Sequence, residues 1–177
     1  MSLTLINLDQ RTRSLMLKEV ESDVSRGELY LSSRLSKIGQ QDYPHLLKEA
    51  ITKYDADWLA DMLRADNRLN AFEQRRKPKG GYTVAKVPIS APETLAEGEF
   101  NRFYVRALCC RAREDKVPEL IIYLARDVGN VRPEAERLVG TTVSVDVLAD
   151  KVKTATGVDA AFNLPSGRSY GLSVRLP

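Results

Sequence analysis

Histidine occurs once, at position 45, and the only two cysteines, Cys109 and Cys110, are adjacent. A lone histidine excludes multi-histidine metal sites and two-histidine acid–base pairs. Adjacent cysteines cannot staple a fold, since they bridge only through a strained small ring that a regular helix does not accommodate. No apolar run approaches the ~20 residues of a membrane helix; the longest candidate is LIIYLA at 120–125. The opening MSLTLINLDQRTR lacks the apolar core and cleavage site of a signal peptide. These absences predict synthesis in a reducing cytoplasm and no place in a membrane. A phosphate-binding glycine loop, a dinucleotide fingerprint and a nucleophile elbow are also missing. KPKGGY at 77–82 is too short and wrongly ordered for either glycine motif. The sequence therefore predicts no catalytic residue, no metal and no cofactor.

Strong charge of one sign is lacking too. The 27 basic and 24 acidic residues leave a formal net charge of +3 and a pI of about 8.9. That permits an anionic partner without requiring one. What is present is ordinary for a folded chain: 177 residues, 43% hydrophobic and 29% charged, enough for a real core.

Asp9 predicts the cap of a first helix running to about Ser25, with Leu8, Leu15, Val20 and Val24 near one stripe and Gly27 ending it. ELYLS at 28–32 reads as a short extended piece, with Leu29 and Leu31 on one face. A second helix is predicted from about Asp42, with Pro44 in its first turn. DADWLADMLRAD at 55–66 reads as a third, amphipathic helix with Trp58, Leu59, Met62 and Leu63 inward.

The pattern breaks after Phe72. Arg75, Arg76, Lys77, Lys79 and Lys86 follow with no acid between Glu73 and Glu93. Pro78, Gly80 and Gly81 mark a turn or flexible arm, and YTVAKVPI at 82–89 has the composition of a strand confined to an edge by Pro88. Five cations beside Tyr82 could line a phosphate backbone and stack on a base. They equally suit a solvated loop, or an arm docking on an acidic neighbouring subunit.

A long helix is predicted from about Pro92 to Asp115, with Phe100, Phe103, Tyr104, Ala107, Leu108 and Arg111 on its buried stripe. Arg102, Arg106 and Arg113 form a second stripe, with Cys109 on the same line. Arginines there suit the phosphates or carboxylates of a partner. They also suit an internal pair with Glu99 or the helix dipole. The cysteines read as buried or boundary thiols. ELIIYLAR at 119–126 predicts a strand covered on both faces. RPEAERLVG reads as a short helix, TTVSV as a strand and DVLADKVKTATG as a helix. Tyr170, Leu172, Val174 and Leu176 alternate in a tail that must join a sheet edge, in this chain or a neighbour.

LAEGEFNRFYVRALCCRA, RPEAERLVGT and the ending GLSVRLP together resemble an uncharacterised group of bacterial and prophage-borne proteins that runs alongside tailed-phage head and tail genes. The resemblance implies a phage structural or head-assembly role, such as a connector, neck or capsid-associated subunit, and a virion as its destination. It carries over no functional residue.

The reading is a mixed α+β fold: a helical part at 1–74, a basic arm at 75–91, an α/β core at 92–157 and an extended tail at 158–177. The leading expectation is a non-enzymatic subunit that assembles with its own copies or with other structural subunits. The tail would add as a strand to a neighbour, with Tyr170, Leu172, Val174 and Leu176 as anchors. The basic arm and the arginine stripe would meet an acidic partner. A nucleic-acid-binding protein using those same cations is one alternative. A metal-dependent nuclease of unrecognised type, with Asp57 and Asp61 as its acids, is another.

Overall fold

The computed structural model describes residues 3–155, 157–165 and 169–177. The fold is α+β. The helices are α1 (Gln10–Arg26), α2 (Lys37–Lys53), α3 (Ala56–Arg64), α4 (Ala91–Glu114), α5 (Pro133–Glu136), α6 (Val145–Thr154) and α7 (Val158–Ala161). The strands are β1 (Phe72–Arg76), β2 (Tyr82–Lys86), β3 (Glu119–Leu124), β4 (Thr142–Ser144) and β5 (Leu172–Arg175). They form an antiparallel β1–β2 hairpin and an antiparallel sheet of order β4-β3-β5. No helix among the described residues is long and apolar enough to cross a membrane.

Local chemistry sets the helix ends. The Asp9 carboxylate accepts the Thr12 N–H and the Gly27 N–H caps the Asp23 and Val24 carbonyls, so α1 stops where expected. Asp55 accepts the Trp58 N–H and starts α3. The second helix differs from expectation. Ser36 accepts the Gly39 N–H and starts α2 a turn and a half before Asp42, leaving Pro44 inside the helix. Gly39 is needed there, because a Cβ would lie 2.0 Å from the Arg68 carbonyl oxygen. The Ser36 cap therefore sets the start, and Pro44 is carried inside the helix, although proline suits a first turn best. Glu28 to Ser32 is no strand: Leu29 is half-buried while Leu31 faces solvent.

Helix α4 is the axis of the molecule. It packs against α1, α3, α6, α7, β3 and β5. Every residue from Phe100 to Cys109 is buried, so the expected stripe is a helix enclosed on all sides. One hydrophobic cluster runs from Leu15 on α1 to Val174 on β5, so the helical first part and the sheet share a core. Leu120 and Ile122 of β3 are buried, while Ile121 and Tyr123 on its other face are only half-covered.

The C-terminal tail does not project. β5 pairs with β3, with Val174 opposite Ile122 and Leu172 opposite Leu124. Tyr170, Leu172 and Val174 are buried in the chain's own core, and Leu176 packs partly against it. Tyr170, Leu172 and Val174 are therefore not free to anchor a neighbour, and Leu176 is half-covered. The sheet edge that the alternating pattern demands is supplied by β3 of the same molecule. Gly171 makes the docking close. Its φ is 71°, a Cβ would sit 2.9 Å from the Arg126 carbonyl oxygen, and its own carbonyl accepts the Ala125 and Arg126 N–H groups. Asn101 of α4 locks the strand, donating to the Leu172 carbonyl at 2.8 Å and accepting the Ser173 hydroxyl at 2.7 Å.

The first residues strap the sheet. Tyr123 donates its hydroxyl to the Thr4 carbonyl, and Tyr104 accepts the Asn7 N–H. The Asn7 side chain in turn accepts the Leu176 N–H at 2.9 Å.

Candidate functional site: a basic hairpin

Of the turn or flexible arm expected around Pro78, Gly80 and Gly81, the structure shows the turn: the basic stretch is a hairpin of β1 and β2. Phe72 lies opposite Lys86, Gln74 opposite Val84 and Arg76 opposite Tyr82. The Val87 N–H donates to the Ala71 carbonyl and extends the ladder by one rung. The turn closes when the Gly80 N–H donates to the Lys77 carbonyl at 3.1 Å and the Lys77 N–H to the Gly81 carbonyl at 2.9 Å. Pro78 occupies the second turn position, where its fixed φ fits, and Gly80 and Gly81 take positive φ.

Alternation splits the hairpin into two faces. Glu73 and Ala85 are half-buried on the face toward the body. Glu73 anchors the root, accepting Arg34 at 2.5 Å and Arg75 at 2.6 Å. The Arg34 hydrogen bond, reinforced by Arg75, holds its carboxyl below the usual range. The outer face carries Phe72, Gln74, Arg76, Tyr82, Val84 and Lys86. There Phe72 is 57% exposed, Tyr82 68% and Val84 69%. Arg76, Lys77, Lys79 and Lys86 make no ion pair among the described residues, whereas Arg75 is tied to Glu73.

The helix arginines have a different fate. Arg102 and Arg106 are 6% and 4% exposed and do not face a partner. Arg102 pairs with Glu99 at 2.6 Å. Arg106 pairs with Asp23 and Glu19 of α1, each at 2.6 Å. Both guanidinium groups lie 4.9 Å from the Phe103 ring centre. Burial works against the Asp23 charge, yet the Arg106 hydrogen bonds win and hold its carboxyl below the usual range. Burial dominates at Glu99 and raises its pKa despite Arg102. Arg113 is half-exposed but is paired with Asp146 at 2.8 Å. The expected partner-binding stripe is thus made of internal ion pairs: Glu99 on the same helix holds Arg102, α1 brings Glu19 and Asp23 to Arg106, and Asp146 of α6 meets Arg113.

The remaining chemical candidates do not converge. Burial pushes the Cys109 thiol up to about 12, and burial with Glu19 raises Cys110, opposite to what a nucleophilic thiolate needs. His45 stands on the surface with Glu49 at 3.7 Å. Asp61 pairs with Arg64, and no three His, Cys, Asp or Glu side chains among the described residues are arranged to hold a metal ion. Among the described residues, one concavity of about 320 Å³ lies beside Arg113, Lys116 and Ser144. Another, of about 170 Å³, lies beside Tyr30, Arg34 and Gly98. Neither joins a nucleophile to a base.

Sequence reasoning found the hairpin's cations but missed Phe72 and Val84 on its outer face and Arg34 at its root. The signal for the first two was there. FEQRR and YTVAK alternate around PKGG so that their apolar and basic residues share one side. Arg34 had none, since only tertiary contact brings it to Glu73. In comparisons with known proteins, the chain matches no family model, no curated protein and no solved structure.

Proposed function

We propose that this chain is a non-enzymatic structural subunit of an assembly, and that the hairpin at 72–86 is its contact arm toward an acidic partner. One observation carries the reading. The hairpin stands off the body with aromatic and aliphatic side chains exposed beside unpaired cations. An isolated two-stranded hairpin is marginal in water, and clustered exposed apolar side chains mark contact surfaces. The resemblance of three segments to proteins encoded beside tailed-phage head and tail genes supports a virion as the assembly.

Excision tests the reading. Ala71 and Val87 already share a backbone hydrogen bond, so residues 72–86 can be replaced by a two-residue glycine-containing turn. The excised protein is expected to keep its helical circular dichroism and to lose incorporation into particles, or self-association by sedimentation velocity. An excised protein that assembles like the parent overturns the proposal.

A further inference from the structure

We infer that the acidic partner of the hairpin is a single-stranded nucleic acid, bound along the outer face by paired cation and aromatic groups. The inference rests on the hairpin being the contact arm and names what it holds.

Charge comes first. The only acid between Ala71 and Glu93 is Glu73, and it is committed to Arg34 and Arg75. Nothing on the outer face opposes Arg76, Lys77, Lys79 and Lys86. Elsewhere Arg11, Arg64, Arg68, Arg106 and Arg111 each reach a carboxylate, and the cations without one, such as Lys18, Lys48 and Lys116, are scattered among acids in the sequence rather than gathered on one element. The hairpin therefore concentrates positive potential that the modest net charge conceals.

Arrangement comes second. Register places Arg76 directly across from Tyr82 and Lys86 directly across from Phe72. Each exposed ring thus has a cation as its cross-strand neighbour. The two pairs are four residues apart along the ribbon, about 13 Å at strand rise. Rings that stack on bases beside cations that meet phosphates are the recurring way to hold a strand without reading its sequence.

Residue type decides between partners. Three of the four unpaired cations, Lys77, Lys79 and Lys86, are lysines. Lysine is depleted in protein interfaces, where arginine and contiguous apolar anchors dominate. Arg76 and Lys86 beside the rings, with Lys77 and Lys79 on the turn that continues the ribbon, fit a phosphate chain better than an acidic protein patch.

Fluorescence anisotropy tests this with labelled oligo-dT and oligo-U of about 20 nucleotides, a duplex of similar length, and polyglutamate as an acidic polymer without bases. Both single strands are expected to bind. The slope of log K against log salt should be about −3, or about 50-fold weakening from about 50 to about 200 mM salt, if four phosphates are met. Tyr82→Ala should weaken binding about tenfold with the slope unchanged. Changing Arg76, Lys77, Lys79 and Lys86 together to alanine should abolish it, with circular dichroism showing an unchanged body. Absence of binding at about 50 mM salt overturns the inference. So does equal binding to polyglutamate, which makes an acidic protein the partner, or tighter binding to the duplex. If strands fail to bind while excision still abolishes assembly, this inference falls alone. If strands bind and the excised protein still assembles, the assembly reading falls instead.

Discussion

The hairpin at 72–86 and the strand at 172–175 are both short extended segments beside glycine and proline, yet they lie at opposite extremes of burial. β5 is buried on both faces, with Ser173 satisfied by Asn101 and Leu172 and Val174 against α4 and its neighbours. The hairpin buries almost nothing outside its own ladder. Composition of the alternating face accounts for the difference. β5 presents Tyr170, Leu172 and Val174 in succession. The hairpin's outer face interrupts Phe72, Tyr82 and Val84 with Gln74, Arg76 and Lys86, and the cost of desolvating those groups keeps it out of a core. The same division separates the arginines. Arg106 lies inside because Glu19 and Asp23 travel with it, while Arg76 stays outside with no acid to accompany it.

Truncation should give the largest contrast. A chain ending before Tyr170 loses Leu172 and Val174 from the core, where each large apolar deletion costs about 2–5 kcal/mol. It is expected to lose cooperative thermal unfolding by calorimetry, whereas hairpin excision should move Tm by only a few degrees. A folded, cooperative truncated chain would remove the distinction between the two segments.

Arginine replacement comes next. Arg106→Ala removes the main partner of buried Asp23 and of Glu19, leaving Asp23 only Arg26 at 3.3 Å, and is expected to cost about 3–5 kcal/mol in urea unfolding. Arg76→Ala should stay within about 0.5 kcal/mol. Similar values for both would mean that the buried network contributes no more than a surface charge.

Acid sharpens the comparison further, since Asp23 and Glu73 both have lowered pKa values. A carboxyl lowered on folding contributes stability that is complete above its unfolded value, near 3.8 for Asp23, and is lost as pH falls through the lower folded value. Below about pH 4 the parent should therefore weaken steeply. Asp23→Asn should start less stable and show a shallower acid limb. Glu73→Gln should leave the acid limb of global unfolding unchanged, because its titration loosens only the hairpin root.

The smallest effect concerns Gly98, in the concavity beside Tyr30 and Arg34 at that root. A Cβ there would meet nothing within 4 Å. Gly98→Ala should raise stability by about 0.5–1 kcal/mol, since glycine in a helix interior is unfavourable. A loss instead would mean that the concavity closes around that glycine.

Much of the fold was legible because local chemistry wrote it. Asp9, Asp55 and Gly27 mark helix ends through their own hydrogen bonds, and the apolar spacing from Phe100 to Leu108 marks α4 as core. The alternating tail announced a strand but not whose sheet it joins, since its apolar face suits any edge. The start of α2 was misplaced because Pro44 was taken as a first-turn proline, whereas the local cap at Ser36 sets the start and leaves Pro44 inside the helix. The pair of Arg102 with Glu99 was legible from their spacing, but the partners of Arg106 were not: a sequence shows where cations recur, not which distant carboxylates fold onto them. β1 was missed because FEQRR alone has little strand preference, and only its alternation with YTVAK across PKGG marks it.

The hydrogen bond between Asn7 and Leu176 has a practical consequence. It leaves the two ends of the described chain side by side, while the hairpin turn is far from the core and structurally undemanding. Asn7 and Leu176 therefore offer a seam in the described fold. A circular permutant, joined at that seam by a short linker and opened between Lys79 and Gly80, would keep every buried contact and turn the hairpin strands into two independent ends.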